Sequence, residues 1–147
     1  MRKLIVLALL GLASSPLMAA DCATTVEAND AMQFNVHSIT VPKACKTFKV
    51  TLKHTGKLPV ASMGHDWVLT TAADEKAVLA ADAAAGAAKG YEKANDPKVI
   101  ASTKLIGGGE SATTTVNVSK LKAGQDYVYF CSFPGHATLM HGTLTVK

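Results

Sequence analysis

From Thr47 to Lys53 the chain reads Thr-Phe-Lys-Val-Thr-Leu-Lys, with an apolar residue at every second position. A period of two is the side-chain period of an extended strand, so Phe48, Val50 and Leu52 fall on one face and the Thr and Lys residues on the other. Such a segment must bury one face against a second layer, and it reads as half-buried antiparallel sheet. Seven other segments carry β-branched or aromatic residues between Gly, Pro, Asn or Lys-rich turns, at about 22–28, 33–41, 66–70, 98–102, 111–118, 125–131 and 140–147. About eight short strands predict an all-β Greek-key sandwich or barrel. One stretch departs from the pattern. Residues 72–88 are alanine-rich, with Thr71 three residues before Asp74 as a capping pair and Gly86 and Gly90 at the exit, so one short helix is expected between strands.

The N-terminus has a different logic. Arg2 and Lys3 precede an apolar stretch from Leu4 to Ala13, then Ser14, Ser15, Pro16 and the small residues Ala19 and Ala20. That order is a secretory signal peptide, expected to be cleaved after Ala19 and to leave a single domain over 20–147. An apolar core of about ten residues is half of what a membrane-spanning helix needs, so a soluble exported protein without a membrane anchor is expected. A lipoprotein modified on Cys22 is disfavoured by Asp21, which stands where a small residue is expected. With Arg2 and Lys3 removed, 13 Lys and Arg face 11 Asp and Glu. No basic run with interleaved aromatics is present, which excludes nucleic acid as a natural partner.

Export makes the cysteines informative, because disulfides survive outside the cytoplasm. Three are present, Cys22, Cys45 and Cys131, so one disulfide leaves one thiol over. Cys22 and Cys45 lie near the start of the mature chain, each beside a candidate strand, and pairing them leaves Cys131. That residue opens Cys131-Ser132-Phe133-Pro134-Gly135-His136-Ala137-Thr138-Leu139-Met140. A thiol, an imidazole and a thioether occur as Cys-x4-His-x3-Met, and the Pro-Gly turn can fold His136 back toward Cys131. A second imidazole is available in Met63-Gly64-His65-Asp66-Trp67. Each of these residues taken singly is commonplace. Together, two imidazoles and a thiolate with a weak axial thioether are the ligand set of a blue-copper electron-transfer site. An unpaired thiol in an oxidising compartment is preserved when a metal holds it as thiolate.

With the ligand loop, Asn29-Asp30-Ala31-Met32-Gln33-Phe34, Met63-Gly64-His65, Trp67-Val68-Leu69, Thr103-Lys104-Leu105-Ile106-Gly107 and Val118-Ser119-Lys120-Leu121-Lys122 complete a likeness that runs from Cys22 to Lys147. The chain resembles the azurins, the bacterial cupredoxins. The resemblance implies one copper ion with His65, Cys131 and His136 as equatorial ligands, Met140 as one weak axial ligand and the Gly64 carbonyl oxygen as the opposite one. It also implies a Cys22–Cys45 disulfide, in agreement with the parity of the cysteines. A partner-docking patch would comprise Met32, Leu58, Met63, Phe133, Pro134 and Leu139, around the edge of His136. The implied partners are redox proteins such as c-type cytochromes and periplasmic reductases, met by a monomer in brief contacts.

Asp66 departs from that pattern, where asparagine is commoner. It is expected to bind the Ser132 segment and, if ionised, to lower the reduction potential by favouring Cu(II). Trp67, one residue on, points to the opposite face and into the core. His54 matches a histidine near the copper and reads mainly as buried structure, while His37 has no assigned task. His141 reads as an exposed residue or a pH-dependent charge at the rim. The expectation is therefore a periplasmic electron carrier that transforms no substrate. Copper storage or delivery is the alternative, disfavoured because no Met- or His-rich tract is present. A copper enzyme would need a further open metal site, for which only the scattered His37, His54 and His141 remain.

Overall fold

The computed structural model describes residues 21–147, and the leader expected over 1–19 lies outside the described residues. In chain order the elements are β1 (Ala23–Asn29), β2 (Gln33–Phe34), β3 (Ser38–Val41), β4 (Thr47–His54), α1 (Val60–Met63), β5 (Val68–Thr71), α2 (Glu75–Ala85), β6 (Ala101–Ser102), β7 (Ser111–Asn117), β8 (Tyr127–Phe130) and β9 (His141–Val146). They form two sheets, β2-β1-β4-β7 and β3-β9-β8-β5-β6. The all-β sandwich with one inserted helix is thus present.

Several details differ from the sequence reading. The segment at 33–41 is two strands, not one, because it changes sheets: β2 pairs with β1 and β3 with β9. The break is at Asn35, whose N–H and side-chain carbonyl both bond back to Glu27. The alternating strand β4 is antiparallel to β7, as expected, but parallel to β1. At 98–102 only two residues pair, since a turn in which Lys98 and Val99 both donate to Asp96 occupies the start. The helix is shorter than 72–88. Thr71 and Asp74 do bond to each other at its start, and Gly86, with φ of 75°, stops it. A four-residue turn, α1, was not foreseen.

The core between the sheets is built around Trp67, fully buried and stacked on Tyr129 at 5.5 Å, with Phe34 against the same Tyr129 ring at 6.0 Å. Phe48, Val50 and Leu52 all point into it, as the alternation requires. Gly142 faces Tyr129 across the β8–β9 pair, where an added Cβ would lie 2.2 Å from the phenol ring carbon. The missing side chain lets the ring lie close to the strand and donate from its hydroxyl to Val36 O at 2.6 Å. Outside the second sheet, α2 buries Val78 against Val68, Val128 and Phe130. Each fully buried residue of this size stabilises the fold by roughly 1.5–3 kcal/mol. The Cys22–Cys45 disulfide joins the start of β1 to the turn before β4 across 23 residues. Closing a loop of that length stabilises by about 3 kcal/mol. No helix of the described residues is long and apolar enough to cross a membrane.

Candidate metal centre

Three backbone devices converge at one end of the sandwich. The turn α1, entered at Pro59, ends at Gly64 and hands the chain to His65, whose N–H and C=O both bond to Ile106. An added Cβ on Gly64 would lie 2.6 Å from Val60 O and 2.9 Å from the Leu105 side chain, so the tight approach of this turn needs glycine. Cys131 follows directly on β8, and its N–H bonds to Met140 O at 3.1 Å. Between them the loop turns at Pro134 and Gly135, the latter with φ of 84°, so that His136 N–H reaches Phe133 O. Met140 N–H then returns to His136 O at 2.8 Å. The expected Pro-Gly turn is what brings residue 136 back to residue 131.

The outcome is a compact donor set. Cys131 Sγ lies 3.8 Å from His65 Nδ1 and 3.7 Å from His136 Nδ1, and all three atoms are within 4.8 Å of one another. Donors held about 2.0–2.3 Å from a common ion in a plane are roughly 3.5–4 Å apart, so the residues fit one metal ion. Gly64 O is 3.9 Å from the same sulfur, and Met140 is fully buried in the loop. The tautomer of His65 is fixed: its Nε2 donates to Asn29 O at 2.9 Å, which leaves Nδ1 as a lone pair facing the thiol.

Electrostatics favour the ligand forms of the histidines. Burial, followed by the neighbouring His54 and His136, pushes His65 down to about 4, and burial lowers His136 as well. Both imidazoles are therefore neutral at neutral pH. Burial, with the charge that Asp66 carries when ionised second, raises the Cys131 thiol well above the usual range. The backbone N–H groups of Asp66 and Phe133 favour the thiolate but are outweighed, so a bound cation is what would hold the sulfur as thiolate.

A match to the family model of copper binding proteins, plastocyanin/azurin family, spans residues 20–147. The chain belongs to the plastocyanin/azurin family. It is 54% identical over 147 residues to azurin of Pseudomonas aeruginosa, covering all of this chain and 99% of that one. It is 56% identical over 128 residues to azurin of Pseudomonas denitrificans, covering 87% and 100% of the two chains. Azurin of Achromobacter denitrificans is 53% identical over 138 residues, covering 94% and 93%. Copper is accordingly the metal of this plastocyanin/azurin family member, and the His65, Cys131 and His136 cluster is where the described residues can hold it.

Asp66 sits beside this cluster, 1% exposed. Its Oδ1 accepts from Ser132 N–H at 2.6 Å, and Oδ2 meets Ser132 Oγ. Ser132 Oγ also lies 2.8 Å from Tyr91 O. One hydroxyl proton cannot be given to both, so all three groups are satisfied together when Asp66 is the carboxylic acid, donating to Ser132 Oγ while that hydroxyl donates to Tyr91 O. Burial pushes the Asp66 carboxyl up to about 7, in the same direction. Asparagine can reproduce this pattern with its amide N–H. Replacing Asp66 with alanine is expected to destabilise the metal-free protein by about 2–3 kcal/mol, and replacing it with asparagine by less than about 1 kcal/mol. Denaturant melts of the two variants check this, and equal losses would contradict the proton count.

The other histidines separate clearly. His54 is buried, stacked on His65 at 4.5 Å, and held by Met63 O and Gly56 N–H. His37 is exposed and bonds to His141 O, while His141 Nε2 lies 3.2 Å from a carboxyl oxygen of Glu75 on α2. Of the six patch residues, Leu58, Pro134 and Leu139 are exposed and Met32, Met63 and Phe133 half-buried. Phe133 lies against the His136 ring at 4.5 Å. Leu58 is held by the Asp30 carboxylate, which accepts from the N–H groups of Lys57 and Leu58. The sequence reading missed Val60, which is exposed and shares a cleft with Tyr91, Leu105 and Phe133. It also missed Tyr91 and the Asn29 carbonyl. A backbone acceptor leaves no signal in residue type, but a large apolar residue one place after Pro59 could have been read as part of the exposed turn.

Proposed function

We propose that this chain is a periplasmic electron carrier in which His65, Cys131 and His136 would hold one copper ion, with Met140 and the Gly64 carbonyl as weaker donors. Residues 1–19 serve as its signal peptide and 20–147 as its single copper-binding domain. It transforms no small substrate. The observation that carries the reading is the convergence of one buried thiol sulfur and two neutral imidazole Nδ1 atoms at 3.7–3.8 Å. That set of one soft and two borderline donors suits copper in both of its common oxidation states. When bound there, copper supplies a one-electron couple. The chain's own residues do the rest. His65 is locked by Asn29 O, Cys131 by Met140 O and His136 by Phe133 O, so the donors keep one arrangement while the charge changes.

The residues also supply a route. His65 is fully buried, whereas His136 keeps 4% of its surface exposed. The edge of His136 is thus the point at which the site comes nearest to a docked protein, framed by Phe133, Pro134 and Leu139. An apolar rim favours short contacts with redox proteins such as c-type cytochromes and reductases. Leu139 is the most exposed large apolar residue among the described residues, at 56%. Replacing it with lysine is expected to slow electron exchange with a c-type cytochrome about tenfold, as the loss of about 1.4 kcal/mol in docking implies, with the visible spectrum unchanged. Stopped-flow mixing reads the rate, and an unaltered rate would move the docking surface elsewhere.

Asp66 gives a pH test of the same reading. Burial raises the Asp66 carboxyl, and at a pH where the acid is neutral Asp66→Asn is expected to leave the reduction potential where it is. At a pH where it is ionised, the wild-type carboxylate stabilises the more positive oxidised metal, so the asparagine variant should have the higher potential. Voltammetry of both proteins at pH 5 and pH 9 compares them. A gap that is the same at both pH values would contradict a titrating Asp66.

A further inference from the structure

Residues 91, 92 and 93 are tied in succession to three different parts of the molecule. Tyr91 O accepts from Ser132 Oγ at 2.8 Å, and the Tyr91 ring meets Phe133 edge-on with centroids 5.2 Å apart. Glu92 accepts from the hydroxyl of Ser102 on β6. Lys93 N–H donates to Oδ1 of Asp82, on α2, at 2.9 Å. Phe133 in turn lies against the His136 ring at 4.5 Å, and its carbonyl receives the His136 N–H. The segment therefore lies across the outside of the loop that carries Cys131, Ser132 and His136.

Asp82 is the unusual member. The helix α2 buries only Val78 and Asp82, four residues apart and so on one face. Where that face calls for a second apolar residue it presents a fully buried carboxyl group, and Asp82 Oδ2 has no hydrogen-bond partner. Burying such a group is unfavourable unless its bonds are used, and the neighbouring Glu92 and Asp96 add like charge. A helix that merely covered the sheet would be better served by valine or leucine. What the carboxyl does, and an apolar side chain cannot, is accept the Lys93 N–H and fix the position of 91–93 against the helix.

We infer that Asp82 is a positioning residue for the metal-ligand loop: its carboxyl group anchors 91–93 to α2, and 91–93 holds Ser132 and Phe133, and through Phe133 the His136 ring. The role in copper chemistry rests on the function proposed above, but the chain of contacts exists without metal and is tested without it.

The experiment is amide hydrogen exchange, followed by NMR, on the metal-free protein. In the wild type the N–H groups of Lys93, Ser132 and His136 are bonded to Asp82, Asp66 and Phe133. Asp82→Ala is expected to speed exchange about tenfold or more at all three, while amides of β4 and β7 in the opposite sheet stay unchanged, the mark of a local opening. Asp82→Asn keeps an acceptor for Lys93 and should restore protection at Ser132 and His136. Faster exchange at Lys93 alone overturns the inference, and so does equal acceleration across the whole chain. Tyr91→Leu keeps the test open if the alanine variant does not fold: it leaves Asp82 and Lys93 in place and should speed His136, and an unchanged His136 overturns the second link. In the copper-loaded protein Asp82→Ala should shift the reduction potential and Asp82→Asn should not. A wild type without a blue absorption band would instead remove the proposed function, leaving the exchange result to stand by itself.

Discussion

Replacing Cys131 with serine is expected to abolish the copper-thiolate absorption and to weaken copper binding by at least about 1,000-fold, or about 4 kcal/mol. The change exchanges one atom at a fully buried position, so the fold should be kept. The serine hydroxyl is a harder and less acidic donor than the thiol, and the two histidines with the weakly bound Met140 thioether supply no anionic sulfur to the ion. Cys131 is the single free cysteine among the described residues, with Cys22 and Cys45 joined to each other. No other described cysteine can substitute for it. Isothermal titration with copper and circular dichroism of the variant separate the two effects. Strong binding retained by a folded serine variant would show that the metal does not depend on this sulfur.

Truncating Trp67 to alanine should destabilise the protein by about 3–5 kcal/mol. Trp67 is the only tryptophan in the chain, lies two residues beyond His65 and is stacked on Tyr129, two residues before Cys131. The cavity would therefore open between the two strand ends that carry the thiol and one imidazole. Trp67→Phe is expected to lose far less, since the indole N–H is buried without a partner and its removal relieves that deficit. Thermal melts of the two variants, in metal-free and copper-loaded form, give the comparison. Similar losses in both would mean that the ring volume at this position matters little.

These two residues also illustrate what the sequence discloses and what it hides. The period-two alternation around Val50 specified a strand and its buried face without ambiguity, because a one-residue slip would turn every apolar side chain to water. The approach of His136 to Cys131 was legible because the loop that joins them is short and has a Pro-Gly turn. His65 comes from 66 residues away, and its approach depends on the unforeseen turn α1 and on the bridge to Ile106. The parallel pairing of β1 with β4 was likewise hidden, since alternation reports which face is buried and not the direction of the neighbour. Tyr91 and Asp82 were passed over for a related reason. Both act through hydrogen bonds to or from the backbone, between segments brought together only by the folded chain. Asp82 even runs against the local pattern, as an acid on the buried face of an alanine-rich helix. The departure of Asp66 from asparagine was visible, but its meaning depended on counting protons on Ser132 Oγ.

The most direct test of the central claim is the visible absorption spectrum of the purified mature protein during titration with Cu(II), followed by a mild reductant and reoxidation. The account predicts an intense blue band that saturates at one copper per chain, vanishes on reduction and returns on reoxidation. A colourless or merely pale protein at saturating copper would contradict it, because the sulfur of Cys131 and the two imidazoles would then not share one ion.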